Sequence, residues 1–133
     1  MHLVLEEIWQ SFWRLPVWVR VWIVFALGPA NLASVFFLDQ PMGSVIAMLA
    51  YCGIAPNFVL AFVLRGLSRL MALSHTLFWS PLMLILAPHL AYSHELVPAY
   101  ATYVTVLFVV NAVSLGFDFR DTYRWFRGDR AVF

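Results

Sequence analysis

The sequence predicts an all-α, polytopic membrane protein, in which an antiparallel four-transmembrane-helix bundle follows an N-terminal interfacial amphipathic helix. Of its 133 residues, 63% are hydrophobic and 11% are charged, whereas soluble globular domains average about 45–50% apolar and about 25% charged residues. Four apolar runs are each long enough to cross a bilayer. All eight basic residues are arginines, and a four-span threading puts them on one side of the membrane. We therefore expect a single membrane domain over residues 1–133.

Residues 1–15 are too short and too polar to span a membrane. Their apolar side chains recur at helical spacing, and Trp9 and Trp13 are of the type that anchors a helix at the membrane surface. We expect an interfacial helix here, although a short helix that caps the end of the bundle fits the same pattern. Glu6 and Glu7 stand where a signal peptide would carry basic residues, so a cleaved signal peptide is not expected.

Four predicted spans follow, and residues 118–133 form a basic tail. Pro16 suits the first turn of a helix, and about 22 residues at 1.5 Å each reach roughly 33 Å, which is enough to cross. Short connections after the first two spans favour antiparallel packing of neighbouring helices. The predicted spans are residues 17–38, 42–64, 69–88 and 98–117.

The positions of the arginines predict the orientation. With four spans, every arginine falls at the N-terminal end, in the connection between spans two and three, or in the tail. The positive-inside rule makes that side cytoplasmic. We therefore expect a multi-pass protein of a bacterial-type inner membrane with both termini in the cytoplasm. The aromatic residues expected as anchors at the membrane interface are Trp18, Trp22, Trp79 and Tyr100.

His75 lies inside the third predicted span, where a titratable side chain is costly and marks a candidate site. Asn57 and Asn111 should lie at nearly its depth. Arg20 and Asp118 should pair closer to the cytoplasmic surface, with Asp118 about two turns from His75, so that we expect a neutral imidazole. Polar side chains within spans usually turn inward. The predicted intramembrane polar core is Arg20, Asn57, Ser74, His75, Asn111, Ser114 and Asp118.

Two interpretations of this polar core remain open. It is either a set of hydrogen bonds that holds the helices together, or a working site for a ligand or proton. A break region is predicted at Gly28, Pro29 and Asn31 and at Pro56, because each proline lacks an N–H and frees a carbonyl within its helix. Such positions are typical of the discontinuous helices of transporters, and ordinary kinks are the alternative.

Two further groups lie outside the spans. His89, His94 and Glu95 are weak candidates for a zinc or copper site, because their spacing is unspecific, and we expect neither a metal nor another cofactor. Arg120, Arg124 and Arg127 recur at helical spacing beside aromatic residues, a pattern that favours binding to anionic lipid headgroups. Topology already accounts for these arginines, so nucleic-acid binding is not expected.

No catalytic motif is found. The chain has no GxGxxG, HExxH, CxxC or GxSxG pattern and no phosphate-binding glycine loop, and its one cysteine, Cys52, cannot form an internal disulfide. Ser74 and His75 are adjacent on a helix and point about 100° apart, so they do not form a nucleophile–base pair. We expect an oligomeric channel or transport unit, as a homo-oligomer or in a larger membrane complex. The alternative is a non-catalytic accessory or assembly subunit of a larger membrane complex.

Overall fold

The computed structural model describes residues 2–40 and 42–130, and every regular element in these ranges is helical. The predictions for Met1, for Pro41 and for residues 131–133 lie outside the described residues. A short 3-10 turn, Ser93–Glu95, precedes the last helix. The five helices are α1 His2–Arg14, α2 Val17–Phe37, α3 Gly43–Leu64, α4 Met71–Ala91 and α5 Pro98–Phe126.

Helices α2 to α5 are each long and apolar enough to cross a membrane, which indicates a multi-pass membrane protein. The first three begin and end within three residues of the predicted spans. The fourth predicted span, 98–117, ends nine residues before helix α5 does. Charged residues after Phe117 lower the hydropathy, but none of the residues from Asp118 to Phe126 is a proline or glycine that would end the helix.

Helix α2 changes its hydrogen-bonding pattern twice. A π-helical segment, Trp22–Leu27, is followed by an α-helical turn, Gly28–Leu32, and then by a 3-10 segment, Ala33–Phe37. The N–H of Gly28 donates to the carbonyl of Ile23, five residues earlier, immediately before the proline that cannot donate. The irregular region therefore coincides with the predicted break in this helix.

A break is predicted at Pro56, but in the structure this residue lies inside the continuous α-helix α3. Loss of one N–H is a local defect, and a membrane helix can continue through it. A proline alone does not show from sequence whether its helix is interrupted.

Helix α4 packs between α3 and α5, and α2 contacts both α3 and α5. The sequence predicts Trp79 and Tyr100 as anchors at the membrane interface. In the structure both are almost completely buried in the core, so this prediction is wrong for these two residues. Trp22 is partly buried, whereas Trp18 is exposed. The buried core consists of Ile46, Ala50, Trp79, Leu82, Leu86, Tyr100, Val104, Leu107 and Leu115.

Helix α1 is held by its polar face. The carboxylate of Glu7 lies 2.6 Å from Nε of Arg65, and the hydroxyl of Ser11 accepts a hydrogen bond from the N–H of Leu67 at 2.9 Å. Trp9 and Trp13 are exposed, and one helical turn separates them, so they share a face. The helix thus contacts the connection after α3, as expected of a short helix that caps the end of the bundle, and leaves aromatic side chains exposed.

The C-terminal part of α5 is attached to the same region. The guanidinium of Arg69 lies 3.4 Å from the carboxylate of Asp121 and 3.1 Å from that of Asp129. These contacts, together with those of α1, bring the N-terminal helix, the connection between α3 and α4, and the end of α5 together. All three segments carry arginines.

Candidate functional site

The imidazole of His75 is hydrogen-bonded through both of its nitrogens to neighbouring helices. Its Nε2 lies 2.9 Å from the amide nitrogen of Asn57 on α3. Its Nδ1 lies 3.2 Å from a carboxylate oxygen of Asp118 on α5. We call these three residues the His75 cluster. It joins helices α3, α4 and α5 through polar side chains.

The donors and acceptors of the cluster define the tautomer of His75. With the amide nitrogen of Asn57 donating to Nε2, that ring nitrogen must be the acceptor. The proton of a neutral imidazole is then on Nδ1 and is donated to Asp118. This orientation leaves Oδ1 of Asn57 buried and without a hydrogen-bond partner. A half-turn of the amide would exchange the two atoms.

An indole ring holds the imidazole in place. Trp79, one helical turn after His75, stacks on it with ring centroids 4.0 Å apart and planes 7° from parallel. The same indole packs against Gly53 of α3, where an added Cβ would lie 2.1 Å from its nitrogen. The indole nitrogen also donates to the carbonyl of Ala50 at 3.3 Å. Gly53 therefore leaves the space that Trp79 requires beneath the imidazole.

The contact between His75 and Asp118 differs from the sequence prediction, which put Asp118 about two turns nearer the cytoplasm. Because α5 continues to Phe126, Asp118 lies well inside this helix and beside the N-terminal part of α4. The hydroxyls of Thr76 and Thr122 lie 3.4 Å apart, which shows the same alignment of α4 with α5. The side chains of His75 and Asp118 are only 14% and 13% exposed.

Asn111 belongs to a second polar group and does not contact His75. Its amide exchanges two hydrogen bonds with that of Asn31, at 2.8 and 3.0 Å, and both residues are fully buried. Asn31 also donates to the carbonyl of Leu27, and its own carbonyl accepts a hydrogen bond from Ser34. We call Asn31 and Asn111 the asparagine pair. It joins the irregular part of α2 to α5.

Side chains from other helices also bond to the backbone of irregular α2. The hydroxyl of Tyr103 donates to the carbonyl of Ala30 at 2.5 Å. The hydroxyl of Tyr51 donates to the carbonyl of Leu32 at 2.7 Å. Backbone carbonyls at membrane depth need such partners within the protein, because lipid tails supply none.

The remaining members of the predicted polar core are separate. Arg20 lies with its guanidinium carbon 4.5 Å from the ring centre of Trp13, and no ion pair between Arg20 and Asp118 is present among the described residues. Ser114 accepts a hydrogen bond from the indole of Trp22 at 2.8 Å, and Ser74 is buried in α4. Sequence gives the depth of a residue in a span but not the rotation of its helix. The predicted core is therefore divided between the His75 cluster and the asparagine pair, with Arg20, Ser74 and Ser114 outside both.

The candidate metal ligands do not converge. His89 bonds to the carbonyl of Ile85 at 2.9 Å, whereas the exposed side chains of His94 and Glu95 lie 3.8 Å apart. Within residues 2–40 and 42–130, no three side chains of His, Cys, Asp or Glu form a group that could hold a metal ion. The arginines predicted to contact lipid headgroups are all exposed: Arg120, Arg124 and Arg127.

No protein-family model, curated protein or solved structure matches the chain. The functional argument therefore depends on the geometry of these groups. Sequence reasoning missed Trp79 and Gly53 as parts of the site. The sequence signal for Trp79 was its four-residue spacing from His75, which puts both side chains on one helix face. No sequence signal distinguishes Gly53 from other glycines in apolar helices.

Proposed function

We propose that the chain is a unit of an oligomeric membrane transport or channel protein in which the His75 cluster binds a proton. The observation that carries this proposal is the hydrogen bonding of both imidazole nitrogens, one to a carboxylate and one to an amide that can turn. Ionisable side chains within membrane helices commonly mark ion or proton pathways. Histidine is the side chain whose charge changes most readily near neutral pH.

Proton uptake at this site requires one local change. A proton added to Nε2 of His75 turns that nitrogen from an acceptor into a donor. The amide of Asn57 then turns by half a rotation, and its buried Oδ1, which has no partner in the neutral arrangement, becomes the acceptor. The resulting imidazolium faces the carboxylate of Asp118, so the pair carries no net charge into the low-dielectric interior. The indole face of Trp79, 4.0 Å away, also favours the cation.

The proposed threading is an antiparallel bundle in a bacterial-type inner membrane, with both termini in the cytoplasm. Contacts between Glu7 and Arg65 and between Arg69 and Asp121 support it, because they join segments in which arginines are concentrated. The positive-inside rule assigns that side to the cytoplasm. In this threading the His75 cluster lies in the cytoplasmic half of the membrane. Four helices are too few to enclose a wide pore, so we expect several copies to assemble.

The second candidate is an accessory or assembly subunit of a larger membrane complex. The asparagine pair favours it, because each amide satisfies the other and both are fully buried, which leaves little polar surface for a solute. Hydrogen bonds of this type hold membrane helices together at about 0.6 kcal/mol each. Under this alternative the His75 cluster would be a further such contact, and its titration would have no effect on transport.

Proton flux into vesicles distinguishes the two candidates. The purified protein is reconstituted with a pH-sensitive dye inside, and a potassium gradient with valinomycin drives protons inward. The transport proposal predicts flux above that of protein-free vesicles, loss of the flux in His75→Gln, and unchanged flux in the control His89→Gln. Native mass should show a homo-oligomer. Absence of flux from an intact oligomer, or a stable heteromeric complex whose properties do not depend on His75, would overturn the transport proposal.

A further inference from the structure

Arg20 has a buried polar atom without a partner. Its Nε is inaccessible to solvent and makes no hydrogen bond to any described residue. A buried donor that lacks an acceptor costs more free energy on a charged group than on a neutral one. The guanidinium is held against the ring of Trp13, so its position is defined although its charge is not neutralised. The guanidinium therefore has no counter-ion among the described residues.

The acidic side chains that could serve are engaged elsewhere. Glu7 pairs with Arg65, Asp118 with His75, and Asp121 with Arg69. The described residues form no ion pair that includes Arg20. The missing anion is therefore not supplied by the nearby carboxylates of the described chain.

An apolar groove begins at this guanidinium. A cavity of about 410 Å³ lies between α1 and α2, and Arg20 is the one charged residue in its lining. Val21, Val24 and Phe25 continue the groove toward the middle of α2, and the last two are 49% and 76% exposed. The complete lining is Phe12, Trp13, Val17, Arg20, Val21, Val24 and Phe25.

The depth of the cation fits the headgroup region of a bilayer. Arg20 is three residues after the start of α2, or about 4.5 Å along the axis at 1.5 Å per residue. Trp13 and Trp18 lie nearby in the chain and are exposed, as is common for aromatic residues at the interface. A cation at this level with an apolar groove leading deeper matches an amphiphile that has an anionic headgroup and an acyl chain.

We propose that the groove between α1 and α2 binds one acidic phospholipid, with its phosphate on the guanidinium of Arg20 and one acyl chain along Val21, Val24 and Phe25. An arginine binds phosphate through charge-assisted hydrogen bonds, and because Nε of Arg20 is inaccessible to solvent, the two Nη groups are the donors for the phosphate. The indole of Trp13, whose ring centre lies 4.5 Å from the guanidinium carbon, holds this group at the groove. This site differs from the exposed arginines of the tail, which attract anionic headgroups without an apolar groove. The proposal does not depend on proton binding at His75.

Native mass spectrometry of the delipidated oligomer in detergent tests this site. Titration with phosphatidylglycerol should show one tightly retained lipid per chain, whereas phosphatidylcholine, which carries no net charge, and the soluble headgroup glycerol phosphate should be retained weakly. Arg20→Gln should weaken retention of phosphatidylglycerol about tenfold or more, because a charge-assisted hydrogen bond is lost. Arg20→Lys keeps the charge but not the planar pair of donors, and should give an intermediate value.

Two further variants keep the test decisive. Val24→Trp fills the apolar part of the groove without changing charge, and it should also weaken retention. Arg14→Gln removes an exposed arginine of α1 that has no role in the proposed site, and it should leave the tightly retained lipid in place. Equal retention of phosphatidylcholine, unchanged retention in both Arg20→Gln and Val24→Trp, or equal loss in Arg14→Gln would each overturn the proposal.

Discussion

Nδ1 of His75 and Oδ2 of Asp118 lie 3.2 Å apart although the two residues are 43 positions apart in the chain. The contact joins the first turns of α4 to the C-terminal half of α5. It puts a carboxylate beside an imidazole whose other nitrogen bonds to Asn57. Proton uptake at His75 would therefore form an ion pair, whereas an isolated imidazolium at this depth would be strongly disfavoured.

Gly53→Ala should destabilise the protein by moving Trp79. An added Cβ would lie 2.1 Å from the indole nitrogen, in a fully buried part of the core. Over-packing of this kind typically costs about 1–3 kcal/mol. The matched control is Gly116→Ala, where a Cβ meets nothing within 4 Å. Thermal unfolding in detergent should show a lower Tm for the first variant alone, and equal Tm values for both would contradict the packing of Trp79 against α3.

Asn31 and Asn111 should be energetically coupled. Each amide donates one hydrogen bond to the other while fully buried, so Asn111→Leu leaves Asn31 with unsatisfied groups and should cost about 1–3 kcal/mol. The double variant Asn31→Leu/Asn111→Leu should lose less than the sum of the two single variants. Unfolding in mixed micelles would give the four free energies of the cycle. Strict additivity would mean that the reciprocal pair does not form.

The attachment of α1 should depend more on Ser11 than on Glu7. The Ser11 hydroxyl is buried and accepts the N–H of Leu67, whereas the pair between Glu7 and Arg65 is about half exposed, 45% and 52%, and therefore of little worth. Hydrogen exchange over residues 2–14 should rise in Ser11→Ala and change little in Glu7→Gln. The reverse order would show that α1 is held by the ion pair.

Both termini should be cytoplasmic. All eight arginines lie at the ends of the four candidate spans that this threading puts inside, and arginine-containing loops are retained on the cytoplasmic side. Fusions of a reporter active only in the cytoplasm, at either end of the chain, should give signal in bacterial cells. A reporter active only outside the cytoplasm should give signal after fusion into the segment near His94. Activity of that second reporter at the C-terminus would mean that a span is missing or added.

The sequence predicted the helices better than their contacts. Length and hydropathy place four apolar helices because a bilayer imposes a narrow range of lengths, and the irregular region of α2 is signalled by Pro29. The end of α5 was missed because hydropathy falls at Asp118 while helix propensity does not. Because the fourth span was predicted to end at residue 117, Asp118 was expected about two helical turns from the depth of His75.

Which side chains of the site contact each other depends on the rotation of each helix about its axis. In soluble proteins an amphipathic pattern reveals this rotation, but a helix with apolar residues on every face has no such pattern. Helices α3 and α4 are of this second kind, because apolar residues occur around the whole circumference of each. The sequence predicts that Asn111 lies at nearly the depth of Asn57, but depth alone does not identify its partner. In the structure Asn111 pairs with Asn31. The sequence predicts that Arg20 pairs with Asp118 because both lie near one surface, whereas in the structure the guanidinium of Arg20 lies against the indole of Trp13.

The most direct test of the proton site is ¹⁵N NMR of the histidine ring nitrogens in the protein reconstituted in bilayers. At neutral pH, His75 should carry its proton on Nδ1, because Nε2 accepts from Asn57. In Asp118→Asn the Nδ1 resonance should move, since the carboxylate that accepts its proton is gone. Comparison with His75→Gln identifies the resonances. A neutral ring protonated on Nε2, or an Nδ1 resonance that is the same in Asp118→Asn, would contradict the account.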